Sequence, residues 1–413
     1  MLRSAIQGLP RDGRRLFLTR FIRLFAYGSL SVVLVFYLTG IGLSASQTGL
    51  LLTLTLLGDT AVSLGLTTQA DRIGRRRMLI AGALLMIAAG VVFALTRNFL
   101  FLVIAGTIGV ISPSGNEVGP FLPIEQAALS QVTPPPAHTA IFAWYTLAGA
   151  VATASGSLFA GFLTGTLERA SIPPVEGQRS VVLVYAALGS LLAVVFTRLS
   201  TAVEAHREER TLFGIPTSRG IVLRLASLFV LDAFGGGFVV QSFAAYWFYL
   251  RFGVQPAALG GIFFGANLLA GFSALVASRL AARFGLVHTM VFTHLPSNIL
   301  LIAVPLMPNL PLATLVLLLR FSISQMDVPT RQAYTMAVVP PEERAAAAGI
   351  LGVARTTGAA IAPFFAGLLF ARPALINLPF FIAGTLKIAY DLLLLMYAGR
   401  ETGPQRLSSN DRG

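Results

Sequence analysis

Long apolar runs alternate with short polar segments along almost the whole chain. Each run holds about 20 residues or more, enough at 1.5 Å per residue to cross the hydrocarbon core of a bilayer. The pattern predicts an all-α membrane protein with twelve transmembrane helices. They are expected at residues 16–38, 46–69, 78–96, 99–131, 138–167, 179–198, 220–251, 256–283, 287–307, 310–338, 342–371 and 376–398.

The densest charge in the chain lies between the second and third runs, at residues 71–77. This segment holds one acid, Asp71, one glycine, Gly74, and four arginines, Arg72 and Arg75 to Arg77. Such a segment between two membrane-length runs is typical of a short cytoplasmic loop. The other arginine-rich segments fall on the same side, while isolated arginines fall on the opposite side. The pattern therefore predicts a multi-pass protein of the cell (inner) membrane with both termini in the cytoplasm.

Composition narrows the function classes. Of 413 residues, 55% are hydrophobic and 11% are charged, whereas soluble domains carry about 25% charged residues. The net charge of +13 would favour nucleic acid in a soluble protein. Here arginines at helix ends facing anionic lipid explain it better, so we expect the lipid bilayer and not nucleic acid as a partner.

Neither a cofactor site nor a catalytic motif is evident in the sequence. There is no cysteine, and the four histidines lack metal-ligand spacing. No HExxH, nucleophile–base motif or phosphate-binding glycine loop occurs. We therefore expect no cofactor, no metal and no enzymatic activity.

The two halves of the chain resemble each other, which predicts two pseudo-symmetric six-helix bundles. The predicted division is residues 1–198, a linker at 199–219, and residues 220–413. A shift of 211 residues aligns Gly42, Gly49, Arg72 and Gly74 with Gly253, Gly260, Arg283 and Gly285. A shift of 206 aligns Pro123, Gln126, Pro134, Pro135 and Gly161 with Pro329, Gln332, Pro340, Pro341 and Gly367. The change in offset places about five extra residues in the first half, within the helix-breaking run 112–120.

Twelve helices in two related halves, together with the 71–77 loop, resemble the major facilitator superfamily over essentially the whole chain. The family's loop signature, Asp-Arg-x-Gly-Arg-Arg/Lys, is matched by Asp71, Arg72, Gly74, Arg75 and Arg76. The family's usual glycine before the acid is Thr67 here, and Ala282 replaces the acid in the second half. The glycine series of helix five ends at Gly161 without the Gly-Pro of the family's antiporters.

This resemblance implies alternating access around a central site, with helices 1, 4, 7 and 10 lining the cavity. It also implies a gating role for the loop. Asp71 would cap the start of helix eleven, and Arg75 would bridge to Glu125 on helix four.

Two further charges, Asp59 on helix two and Arg355 on helix eleven, lie roughly 15–20 Å deep. Because these helices face each other across the halves in this family, we predict an interdomain ion pair between them. The alternative is that each charge has its own local partner.

The cavity-lining helices carry charged and polar residues inside the membrane, where charge usually marks a pathway or a pairing. Asp327 and Arg331 are spaced i,i+4 and could neutralise each other. Lys387 and Asp391 have the same spacing on the peripheral helix twelve, and we predict that they neutralise each other. Burial favours the protonated form of a carboxyl group, so Glu117 and Asp232 are predicted proton sites. A satisfied carboxylate at a broken helix is the alternative for both. The predicted substrate or proton set is Glu117, Asp232, Gln241, Tyr246, Gln325, Asp327 and Arg331.

The sequence therefore predicts a secondary active transporter, expected as a monomer, for a small organic or amphipathic solute. Protons are the candidate coupling ion. The alternative is a lipid-handling or receptor-like membrane protein on the same fold.

Overall fold

The structure is a computed structural model, and it describes residues 9–117, 119–134, 138–204 and 217–408. These residues form fifteen α-helices and no β-strand. The helices are α1 Arg11–Gly40, α2 Ala45–Ile73, α3 Arg75–Leu95, α4 Phe99–Ile108, α5 Phe121–Val132, α6 His138–Arg169, α7 Pro174–Thr197, α8 Arg219–Gly237, α9 Gln241–Phe252, α10 Pro256–Phe284, α11 Leu286–Ala303, α12 Leu310–Phe321, α13 Asp327–Val338, α14 Arg344–Phe370 and α15 Leu378–Ser408.

The fifteen helices make twelve spans. Ten segments of the described chain are long and apolar enough to cross a membrane, and α8 with α9 counts as one of them. The fourth span is α4 followed by α5, and the tenth is α12 followed by α13, each too short to cross alone. The predicted all-α fold with twelve membrane helices is confirmed.

The three interrupted spans are the fourth, seventh and tenth. The fourth breaks over residues 109–120, the run whose extra residues and helix breakers predicted it, and Gly115 and Gly119 have positive φ there. The seventh breaks after Gly237, the last of three consecutive glycines. Pro123 and Pro329 fall in the first turns of α5 and α13, where a missing N–H removes no helical hydrogen bond. Backbone irregularity is thus concentrated in three spans predicted to line the cavity.

One glycine pair of the repeat occupies equivalent turns in the two halves. Gly74 joins α2 to α3 with φ of +118°, and Gly285 joins α10 to α11 with φ of +84°. Side chains rarely tolerate this region, so both halves keep glycine where two helices meet end to end.

Two other glycine pairs bring the halves together. A Cβ added to Gly49 on α2 would lie 2.8 Å from the Cα of Gly367 on α14, and one added to Gly260 on α10 would lie 2.8 Å from the Cα of Gly161 on α6. The two repeat offsets relate Gly49 to Gly260 and Gly161 to Gly367. The halves therefore meet through two symmetry-related backbone contacts, possible only with small residues.

These contacts lie on one side of the membrane only. We call the side that holds the 71–77 loop the loop side, and the opposite side the far side. Gly349 lies eighteen residues, about five turns, before Gly367 and so on the same face of α14. A Cβ added to Gly349 would meet nothing within 4 Å. Helices α2 and α14 therefore touch on the far side and separate towards the loop side.

The positive φ at Gly74 predicts a cost for any side chain there. We expect Gly74→Ala to lower the free energy of unfolding by about 1–3 kcal/mol, the usual cost of a backbone conformation that side chains avoid. Thermal unfolding of the purified protein in detergent would measure this. Gly65→Ala is the matched control, since Gly65 lies within α2 and faces open space. An equal loss in both variants would contradict the argument.

Candidate functional site

A cluster of four charges joins the first, fourth and fifth spans, and we call it the first charge cluster. The Arg23 guanidinium donates to both oxygens of Glu125, at 2.9 and 2.8 Å, and to Glu117 at 2.7 Å. Arg20 donates to Glu117 at 2.7 Å and to the Tyr145 carbonyl at 2.7 Å. Two arginines thus face two carboxylates across the break of the fourth span.

Neutral groups complete this cluster. Thr19 donates to Glu125 at 2.7 Å, and the Tyr145 hydroxyl also donates to it. The side chains of Arg23 and Glu125 are fully buried. A buried pair needs such additional hydrogen bonds to offset the cost of removing both charges from water.

The candidate site set from the sequence missed Arg20 and Arg23. A detectable signal was present: two arginines three residues apart in an apolar span lie on one helix face and need acidic partners inside the membrane. Their partners could not be read from the sequence, because they come from a distant span.

A larger cluster joins the seventh, ninth, tenth and twelfth spans, and we call it the second charge cluster. Asp232 accepts from Lys387 at 2.6 Å and from Arg331 at 3.4 Å. Arg331 also donates to Asp327 at 2.6 Å, which confirms that this i,i+4 pair is formed. The two ring nitrogens of His294 lie 3.6 Å from Asp232 and 2.8 Å from Asp391. Asn298 donates to the other Asp391 oxygen at 3.0 Å.

The prediction that Lys387 and Asp391 neutralise each other is wrong. Although they are spaced i,i+4, each side chain reaches a different neighbouring helix: Lys387 pairs with Asp232 on α8, and Asp391 with His294 on α11. The twelfth span is therefore tied to the interior of its bundle by charge.

No Asp59–Arg355 ion pair forms, so the prediction of that pair is wrong for this conformation. Thr53 of α2 accepts the backbone N–H of Phe364 on α14 at 2.9 Å and so marks the facing side of α2. Asp59 lies about 120° around α2 from Thr53, and Arg355 about 120° around α14 from Gly367. Both side chains point into their own halves. Arg355 lies within electrostatic range of Asp232 and Asp327.

Gln241, a predicted substrate residue, lies in a polar contact between the halves. Its side-chain amide donates to Ser31 at 2.8 Å and Ser157 at 3.3 Å, both in the first half. Asn267 donates to the Gln241 oxygen at 3.1 Å. The neighbouring Ser242 donates its N–H to the Pro113 carbonyl at 3.1 Å, so the breaks of the seventh and fourth spans are joined.

Tyr246 also lies at the contact between the two halves. Its ring lies 5.8 Å from that of Phe36 on α1, and Tyr249 lies 5.4 Å from the same ring.

Of the predicted solute residues, Gln325 is the one in the break of the tenth span. It is half-buried, and its backbone N–H donates to Ser273 at 3.2 Å.

The 71–77 loop is held by residues of the first half and of the linker that follows it. Asp71 pairs with Arg75 at 2.8 Å, and Arg75 also donates to the carbonyls of Ala127 and Val203. The Glu204 carboxylate accepts the N–H groups of Arg75 at 2.6 Å and Arg76 at 3.3 Å, and so caps the positive end of α3.

The predicted Arg75–Glu125 bridge is not formed, because Arg23 occupies both Glu125 oxygens. Asp71 is half exposed and makes its ion pair with Arg75. Arg72 is exposed, and Gly74 supplies the turn. The gating role of these residues stays a prediction. No group of three potential metal-ligating side chains occurs in the described chain.

The bidentate Arg23–Glu125 pair predicts strong coupling between these residues. Removing one partner leaves a buried charge and costs about 3–5 kcal/mol. We expect Arg23→Gln and Glu125→Gln each to lower thermal stability in detergent sharply, and the double variant to recover much of that loss. The control is Arg15→Gln, whose pair with Asp12 is partly exposed and should matter by about 0.5 kcal/mol or less. Additive losses in the double variant would refute the pairing.

The second charge cluster predicts a specific rescue. Lys387→Met should destabilise the protein, because Asp232 loses its shortest ion pair. Adding Asp232→Asn should restore stability, whereas adding Asp391→Asn should not. Rescue by Asp391→Asn instead would show that the charge of Lys387 balances the acid on its own helix.

Comparison with known proteins agrees with this architecture. A family model described as Major Facilitator Superfamily matches residues 16–326 and 225–413. The uncharacterized membrane protein YJR124C of Saccharomyces cerevisiae is 31% identical over 418 residues, covering 93% of each chain.

Solved structures show the same fold at low sequence identity. The nucleoside transporter NupG aligns with a TM-score of 0.72 at 13% identity, over 94% of this chain and 99% of its own. A bacterial homologue of the human lysosomal transporter Spinster, inward-facing and unoccupied, aligns at 0.68 and 16%, over 94% and 95%. The D-xylose-proton symporter aligns at 0.69 and 15%, over 92% and 96%. The family match over nearly the whole chain, on this twelve-span fold, places the protein in the major facilitator superfamily of membrane transporters.

Proposed function

We propose that this protein is a secondary active transporter that moves a small organic or amphipathic solute by alternating access. The observation that carries the proposal is the one-sided contact between the halves. The far side is joined by the two glycine pairs, the Gln241 hydrogen bonds and the Phe36 contacts. On the loop side α2 and α14 are apart. This arrangement is one end state of a rocking motion.

The solute site lies between the halves at the level of the span breaks. Glu117 keeps 15% of its side chain exposed and Arg20 keeps 9%, at the broken fourth span. Gln325 is half-buried at the broken tenth span, and a buried indole nitrogen of Trp144 has no hydrogen-bond partner. Polar, charged and aromatic groups together favour an organic solute with a polar part. A thermal-shift screen of solutes on the purified protein would identify it.

We assign the loop side to the cytoplasm on the basis of its arginines. When that side closes, the start of α14 approaches the exposed Asp71. A carboxylate beside a helix N-terminus is favourable by about 0.3–1 kcal/mol. Asp71, positioned by Arg75 and the Gly74 turn, would then stabilise the closed loop side in one state only.

The absence of cysteine allows a direct test with single cysteines and a membrane-impermeant maleimide. Gly49→Trp should force α2 away from Gly367 and open the far side. In the parent protein we expect Gly349→Cys to react and Ser31→Cys, which is buried, to be protected. In the Gly49→Trp background the order of the two labelling rates should reverse. Ser31→Cys should be labelled at least about tenfold faster than in the parent background, as a shift of about 1.4 kcal/mol in the conformational equilibrium would give.

Two variants complete the design. Gly260→Trp should act like Gly49→Trp, because the repeat relates the two positions. Gly261→Trp is the control, since a Cβ added there meets nothing within 4 Å. If neither bulky substitution changes the labelling of either reporter, the halves do not alternate. A receptor or lipid-handling protein with a fixed conformation would then be the better account.

A further inference from the structure

One buried acid in the membrane differs from the rest in having no cationic partner. Glu117 and Glu125 pair with arginine, Asp232 and Asp327 pair with Arg331, and Asp391 pairs with His294. Asp59 is 7% exposed, yet no arginine, lysine or histidine of the described chain lies within 4 Å of its carboxylate.

The surroundings of Asp59 supply little to stabilise a negative charge. One carboxylate oxygen, Oδ1, has no hydrogen-bond partner. The backbone N–H of Gly119 lies near the carboxylate. The titratable groups that face it are Glu117 from the broken fourth span, Tyr27 from α1 and Tyr185 from α7. None of these is a cation, and the arginines behind Glu117 are already used by two carboxylates.

We propose that Asp59 is the residue that binds and releases a coupling proton, an assignment that rests on the proposed transport function. An unpaired carboxylate out of water costs several kcal/mol, and the group becomes neutral instead by taking a proton. The proton adds to a carboxylate oxygen to give the neutral acid, and it returns to water when the site is hydrated. The predicted sites Glu117 and Asp232 are weaker candidates, because their cations already balance the ionised form.

The position of Asp59 connects its protonation to the moving parts. Gly119 belongs to the break of the fourth span and has φ of +79°. Two residues earlier, Glu117 holds Arg20 and Arg23 of α1. A hydrogen bond to an ionised carboxylate is about twice as strong as one to a neutral acid. Losing the proton would therefore tighten the link between α2 and the break beside the solute site.

Infrared spectroscopy of the purified protein tests this without a solute. At about pH 6, ordinary aspartates and glutamates are ionised, so a protonated carboxyl band reports an unusual acid. We expect the band in the parent protein and its loss in Asp59→Asn. It should persist in Asp391→Asn, the matched control, and in Glu117→Gln. Absence of the band from the parent protein, or its loss only in Asp391→Asn, would overturn the assignment.

A second variant covers the case in which Asp59→Asn does not fold. Asp59→Glu keeps the acid but should shift the band, and an unshifted band would overturn the assignment. The cysteine-labelling test of alternating access is independent of this band. Failure of that test with the band lost in Asp59→Asn would refute the transport proposal while leaving the proton site in place.

Discussion

Most of the charge buried in the low-dielectric interior is paired with opposite charge, and this constraint organises both halves of the protein. Arg23 and Glu125 fix the first span to the fourth, and Asp232 holds the tenth and twelfth spans to the seventh. Every ion pair among the described residues joins groups of the same half. The ion pairs therefore join helices within each half and leave the boundary between the halves free of such pairs.

The boundary is built from weaker, neutral contacts. It contains glycine pairs, amide–hydroxyl hydrogen bonds and an aromatic contact. A neutral hydrogen bond contributes about 0.5–1.5 kcal/mol, whereas leaving one charge of a buried ion pair without its partner costs about 3–5 kcal/mol. A few contacts of the first kind can be exchanged for similar ones on the other side of the membrane, whereas ion pairs across the boundary would hold one state too firmly. The segregation of charge from the boundary therefore suits the two states of similar free energy that the proposed alternating access requires.

The sequence predicted those features that depend on local composition. Span positions follow from apolar length, the break of the fourth span from the extra residues around Ser112–Pro120, and the loop from its arginines. The sequence predicted the wrong ion-pair partners wherever these depend on how the helices are rotated about their axes relative to one another. Asp59 and Arg355 lie on facing helices but point away from the contact. Lys387 and Asp391 have the spacing of a pair, but neighbouring helices offered closer partners. Apolar patterning cannot resolve such rotations in a membrane protein, because both lipid-facing and buried surfaces are apolar.

The repeat shows which property of the charges matters. The shift of 206 residues places Glu125 on Arg331, and the shift of 211 places Arg20 one residue before Asp232. In the first half a cation of the first span meets an acid of the fourth, Arg23 with Glu125 at 2.8 Å. In the second half an acid of the seventh span meets a cation of the tenth, Asp232 with Arg331 at 3.4 Å. The two halves share the pairing but with inverted signs, so the fold requires charge neutrality between these spans and leaves its polarity free. That freedom gives the two halves different electrostatic surroundings, which an exact repeat could not do.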